Sequence, residues 1–187
     1  MFRRPAATPL IVSRIARSSS VTRSSSPATP SPAVSPFAAA PSPESSNDVD
    51  RALDAVARIH GAPGPWAVLG YRMAERALSD LHLPKGSFAL SITHRTPKKV
   101  QFACIADGAA ASSGASVGKL NLSIEEAAEA DLVTVFRNRD TGASVAFRPS
   151  PAFRERYLDA DRARARELGR EVMQLPEDRL FERVDVR

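Results

Sequence analysis

The chain has 187 residues, 43% of them apolar, with 26 Lys and Arg against 21 Asp and Glu and a formal net charge of +5. That length suits one domain with a core of its own. Its single cysteine excludes an intramolecular disulfide and a four-cysteine zinc finger, and no run approaches the roughly 18 apolar residues of a membrane-spanning helix.

The first part of the chain differs from the rest. Residues 1–43 carry Arg3, Arg4, Arg14, Arg17 and Arg23 and no Asp or Glu. Their apolar runs, such as Leu10-Ile11-Val12, are too short for a secretory signal. An Arg-rich, Ser-rich, acid-free leader is the composition of a mitochondrial presequence. Leu10, Ile11 and Ile15 with Arg14 and Arg17 can form the short amphipathic helix that such leaders use. Ser24 to Ser46 reads as a disordered Ser/Pro/Ala linker. The expected division is therefore a presequence and linker over residues 1–46 and one domain over 47–187. A tail without an address, leaving the domain in the cytoplasm, is the alternative. The leader supplies five basic residues and no acidic ones, so the remainder balances at 21 against 21. The basic pI near 10 belongs to the leader, and nucleic-acid binding does not follow from it.

The elements of the domain follow in chain order. Asn47 or Asp48 caps a helix that runs to about Ile59, with Val49, Ala52, Leu53, Val56, Ile59 and His60 on one apolar face. Gly61 to Pro65 breaks it. Pro65 opens a second helix with Trp66, Leu69, Met73, Ala77 and Leu81 inward. Phe88, Leu90 and Ile92 alternate with small or polar residues, which predicts a strand over 87–95. Val100 to Ile105 reads as a second strand, Gly108 to Ser113 as a short helix capped by Asp107, and Lys119 to Ile124 as strand-like. Residues 132–138 and 143–147 form a hairpin about Asp140-Thr141-Gly142. Residues 152–174 are helical, with Phe153, Tyr157, Leu168 and Val172 inward. The tail holds Leu180, Phe181, Val184 and Val186. The mixture predicts an α+β domain with a mixed or antiparallel sheet packed by helices.

Several motifs carry possible chemistry. Gly114-Ala115-Ser116-Val117-Gly118 matches the hydrolase elbow G-x-S-x-G, but that motif needs a strand before it, a helix after it and a downstream His. His60, His82 and His94 all lie upstream. Gly118-Lys119 is no nucleotide loop, because the spacing is one residue short and no Ser/Thr follows the lysine. Lys119 can bind an anion or stand solvated. His60 continues a helix stripe and Cys104 sits among apolar residues, so each has a plain structural role open to it beside a chemical one. The Arg-rich stretch 154–170 is interleaved with Glu155, Asp159, Asp161 and Glu167, which describes a solvated helix face.

Two blocks carry a resemblance. His60-Gly61 with Gly64-Pro65, then Leu69-Gly70-Tyr71-Arg72, form the first. Cys104-x-x-Asp107-Gly108, then Gly114, Ser116, Gly118, Lys119 and Asn121, form the second. At these residues the chain resembles the formylmethanofuran dehydrogenase E-subunit family, over about residues 50–187. The family openings are H-G-H-x-[CG]-P with L-G-Y-R, and C-x-x-D-G with T-G-x-[ST]-x-G-K-x-N. The resemblance implies an α+β domain, often a homodimer, in which the His motif faces the Cys-Asp-Gly block. It implies catalytic roles for Cys104, His60 and Asp107, binding roles for Lys119 and Asn121, and metal ligation by His60 and Cys104. The family's second His is Ala62 here. A divalent transition metal such as zinc is then expected to be held only weakly, since zinc usually takes three or four protein ligands. Asp107 or His94 could supply a replacement. Dehydrogenase chemistry is not implied, because this domain alone lacks the redox cofactors for it. A metal-binding or small-molecule-binding protein with catalytic use of the site, and a non-catalytic assembly domain with a decayed metal site, both remain open.

The leader makes a separate expectation. Residues 1–45 fused to a fluorescent reporter are expected to carry it into mitochondria. A diffuse cytosolic signal would remove the mitochondrial assignment.

Overall fold

A computed structural model describes residues 46–185. The expectations for residues 1–45 and for Val186 lie outside the described residues, and Ser46, expected to end the linker, opens the first helix.

Helix α1, Ser46–His60, buries Val49, Ala52, Leu53 and Val56. Ile59 is exposed instead of inward, because the stripe drifts off the core in the last turn. Helix α2, Pro65–Asp80, begins with proline at its first position, where the missing N–H costs nothing. Strand β1, Leu90–Thr96, alternates buried Leu90, Ile92, His94 and Thr96 with half-buried neighbours. It starts later than expected. Phe88 lies outside it and is exposed.

The main correction concerns residues 100–113. They form one helix, α3, Val100–Ser113, instead of a strand followed by a short helix. Phe102, Ile105, Ala106 and Ala109 are buried at the 3, 4 and 7 spacing of a helical face. The run Val100-Gln101-Phe102 alternates for only three residues. The alanines that follow favour helix over strand. Asp107 is therefore inside a helix and not its cap.

Strand β2, Leu122–Glu126, follows a 3-10 turn at Val117–Lys119. Strands β3, Val133–Asn138, and β4, Ser144–Pro149, make the expected hairpin. The helical stretch after it is broken. Ser150 accepts a hydrogen bond from the Phe153 N–H (3.1 Å) and caps α4, Pro151–Tyr157. The chain then leaves helix until Asp161 accepts from the Ala163 N–H (2.9 Å). Helix α5, Ala165–Gln174, follows. Helix α6, Glu177–Leu180, leads into β5, Phe181–Val184.

The five strands form one mixed sheet in the order β2-β1-β3-β4-β5. Strands β1 and β2 are parallel, with Ile92 opposite Leu122, and α3 makes the crossover between them. The other pairs are antiparallel. The fold is thus α+β, with α3 packed against both α1 and α2.

Two glycines set how closely α2 and α3 pack. A Cβ on Gly70 would lie 2.0 Å from the Ile105 carbonyl oxygen, and one on Gly108 would lie 1.6 Å from that of Ala67. Each helix therefore touches the other's backbone at a glycine, and a methyl at either position would push them apart.

His94 fastens α3 to the sheet. It is fully buried. Its Nε2–H donates to the Phe102 carbonyl (3.1 Å), and the Thr134 hydroxyl donates to its Nδ1 (2.9 Å). Burial holds its pKa down to about 4, against the opposing effect of the hydrogen bond it donates to the Phe102 carbonyl. A histidine whose folded pKa is depressed contributes stability above its unfolded value near 6.5, and that contribution is lost as pH falls toward 4. The shift corresponds to about 3 kcal/mol in full, of which about 2 kcal/mol is lost by pH 5. The stability difference between wild type and His94→Gln, read from denaturant unfolding, should shrink by about 2 kcal/mol between pH 7.5 and pH 5. A difference that does not change with pH would mean that His94 is not held neutral.

Candidate functional site

Helix α1 ends by placing His60 over α3. Helix α3 presents Cys104 and Asp107 three residues apart, on one face. The His60 Nδ1 lies 2.9 Å from Asp107 Oδ2. Cys104 lines the same cavity as His60. The Cys104 thiol lies against the Val100 carbonyl, 2.9 Å away, one turn back on the same helix. Of the three residues expected to act together, His60 and Asp107 are in contact, and Cys104 stands three residues before Asp107 on α3 beside the same cavity.

The electrostatics of the trio favour a proton on His60. Its pKa is raised to about 9, first by Cys104 and then by Asp107, with burial opposing both. His60 and His94 thus respond in opposite directions. One faces the Asp107 carboxylate at the surface of α3, and the other is sealed between α3 and the sheet.

His60 and Cys104 line a cavity of about 560 Å³. The turn between α1 and α2 and the first turn of α2 form one wall, through Ala62, Gly64, Pro65, Trp66 and Ala67. The link between α4 and α5, Leu158 to Arg162, forms another. That link is tied down at two carbonyls. Trp66 Nε1 donates to the Tyr157 carbonyl (2.9 Å), and the Gln101 amide donates to the carbonyls of Tyr157 and Leu158. Trp66 is itself held edge-on between Phe102 and Phe153, with ring centroids 4.9 and 5.1 Å away.

Lys119 and Asn121 are not part of this wall. The Lys119 ammonium donates to the Gly114 carbonyl (2.8 Å) and sits 5.3 Å from the centre of the Phe88 ring. Asn121 is buried, and its Oδ1 accepts from the Ser116 N–H (2.9 Å). Both shape the loop between α3 and β2, and Ser116 Oγ accepts from the Lys119 N–H within it. His94 is also absent from the cavity, since both its ring nitrogens are engaged in the core.

The Leu69-Gly70-Tyr71-Arg72 block is largely architectural. Gly70 meets α3, and Arg72 Nη1 donates to the carbonyls of Val172, Met173 and Leu175 at the end of α5. Tyr71 packs against the cluster of Val56, Ala67 and Ala111, and burial together with Glu75 pushes its phenol up to about 12.

Residues 59–182 match the family model described as FmdE, molybdenum formylmethanofuran dehydrogenase operon. The chain belongs to the FmdE family. The match begins one residue before His60 and includes both blocks that shape the site. No curated protein matches the chain. Within this FmdE domain, no sequence motif singles out Gln101, Asp159 or Arg162, yet all three line the cavity. Asp159 and Arg162 sit in a run of alternating charge that looks solvated from the sequence, and only the break between α4 and α5 folds them over the cavity.

The metal that the family resemblance implies does not fit the residues present. Among the described residues, no group of three or more His, Cys, Asp or Glu side chains could hold a metal ion. The Nδ1 of His60 already faces Asp107. Ala62, in the place of the family's second histidine, lines the same cavity as His60 and Cys104. Restoring it should therefore add a ligand pointing at the other two. In competition with a zinc indicator dye, Ala62→His is expected to bind at least about tenfold more tightly than wild type, a gain of about 1.4 kcal/mol. Replacing Cys104 with Ser in the same variant should abolish the gain. No tightening in Ala62→His would show that the turn at 60–62 does not aim its side chains at Cys104.

Proposed function

We propose that this FmdE domain binds a small molecule in the cavity and presents to it a nucleophilic thiol, Cys104, paired with His60. The observation that carries the reading is that His60, hydrogen bonded to the Asp107 carboxylate, lines the same cavity as the Cys104 thiol. A thiolate is a far better nucleophile than a thiol. An adjacent imidazolium stabilises the thiolate and can later give up a proton, and a carboxylate on the other ring nitrogen holds the imidazole in orientation. Asp107 is placed for that orienting role. Apolar walls with few polar groups are the usual make-up of a small-molecule site. The proposal includes delivery to mitochondria, which rests on the composition of the leader alone.

The second reading, a non-catalytic binding or assembly domain, is favoured by Ala62 at the family's ligand position. The two readings differ in what they require of the thiol. Cys104 is the only cysteine, so alkylation by iodoacetamide reports on it without ambiguity. Replacing His60 with Gln should slow alkylation at neutral pH by at least about tenfold, and Asp107→Asn should slow it by a smaller factor. Rates equal to wild type in both variants would leave Cys104 an ordinary thiol and favour the assembly reading.

A further inference from the structure

We infer that the ligand of this cavity is a zwitterion of amino-acid size, with its carboxylate on Arg162, its ammonium on Asp159 and an apolar body between them and Val100. The inference rests on the small-molecule half of the reading above and needs nothing from the thiol. Most polar side chains in the cavity wall are already spent inside the protein. His60 is engaged by Asp107 (2.9 Å). Trp66 and Gln101 donate to carbonyls of the link between α4 and α5. The Tyr157 hydroxyl donates to Glu171 (2.8 Å), and Asp161 accepts from the Ala163 N–H (2.9 Å).

Two charged side chains of the wall are left over. Neither Asp159 nor Arg162 has a hydrogen-bond or ion-pair partner among the described residues, and they do not pair with each other. The arginines on either side show how readily such groups pair on this surface. Arg154 meets Glu129, Arg156 meets Glu171, Arg164 meets Glu167 and Arg166 meets Asp54. Arg162 departs from that pattern where the chain borders the cavity.

Both charges stand on backbone that is held in place. Trp66 and Gln101 fix the carbonyls of Tyr157 and Leu158 just ahead of Asp159, and the Asp161 cap starts the turn at Arg162–Arg164. Groups fixed in advance lose little freedom when a ligand arrives. Three residues separate the two positions, so their Cα atoms lie at most about 11 Å apart. A small molecule can span that gap with one charge at each end. A guanidinium grips a carboxylate with two parallel N–H donors, and a carboxylate accepts from an ammonium. A ligand with a single charge would cover the other side chain with apolar surface and leave it unsatisfied. The rest of the wall suits an apolar body. Pro65, Val100, Leu158 and Ala160 line it, and Val100 and Leu158 are left exposed at 73% and 41%. The volume of about 560 Å³ falls in the range of small-molecule sites.

The test uses the full chain and three probes of one shape. L-Leucine carries both charges, 4-methylpentanoate lacks the ammonium, and 3-methylbutylamine lacks the carboxylate. Binding is followed by amide chemical shifts. Leucine is expected to bind about fivefold more tightly than either analogue, the most that one solvent-open charge pair gives, with shifts centred on the cavity residues. Arg162→Gln should reduce leucine to the affinity of the amine, and Asp159→Asn should reduce it to that of 4-methylpentanoate. Equal affinities for the three probes, an absence of shifts at the cavity, or a leucine preference that survives both substitutions would overturn the inference. Alkylation of Cys104 in His60→Gln decides the thiol reading separately. Slowed alkylation without a leucine preference would remove the zwitterion and leave the thiol. Unchanged alkylation with the preference intact would remove the thiol and leave the zwitterion.

Discussion

The site depends on the backbone contact between α2 and α3. Gly70 and Gly108 let the two helices touch where any Cβ would overlap a carbonyl oxygen. Helix α2 follows α1 after only a short turn, so its position also sets where His60 ends up. Helix α3 carries Cys104 and Asp107 on one face. If these helices stood a methyl's width further apart, His60 would not meet Asp107, and the first turn of α2 would leave the wall it shares with Cys104. Interiors packed at crystal-like density transmit such displacements instead of absorbing them.

The family blocks therefore mix two jobs. In Leu69-Gly70-Tyr71-Arg72, the glycine sets the approach of two helices, and the arginine closes the end of a third by donating to three of its terminal carbonyls. In Cys104-x-x-Asp107-Gly108, the aspartate meets His60, the cysteine lines the cavity and the glycine packs on Ala67. The Gly114 to Asn121 block folds a loop through Ser116, Lys119 and Asn121. Chemistry and architecture alternate at single-residue spacing because a helix shows a different face every 100 degrees or so.

Helix α3 is gripped on two sides by two histidines of opposite character. His94 stays neutral because it is sealed in, and it spends both ring nitrogens on holding Phe102 and Thr134. His60 is partly open and faces a sulfur and a carboxylate, which favour its charged form. Desolvation decides the first case and the neighbouring Cys104 and Asp107 side chains the second. The same helix is thus anchored by a group that resists protonation and equipped by one that holds its proton.

The sequence by itself determined the α+β class, the α1 and α2 helices, the hairpin at Asn138 to Gly142 and the FmdE family. These come from apolar periodicity, turn residues and short motifs, all of which act within a few residues along the chain. It also singled out His60, Cys104 and Asp107. It did not determine that Val100 to Ser113 is one helix, since a three-residue alternation resembles a strand until its neighbours choose between the two. It could not separate His60 from His94, because burial and partners, not residue type, set how each holds a proton. Nor could it assign Lys119 and Asn121 to a loop, or bring Gln101, Asp159 and Arg162 to the cavity. Those placements depend on the break between α4 and α5 and on contacts between residues more than 50 positions apart, such as Gln101 with Leu158 and Trp66 with Tyr157. Only the packed tertiary structure decides such contacts, because no local preference encodes them.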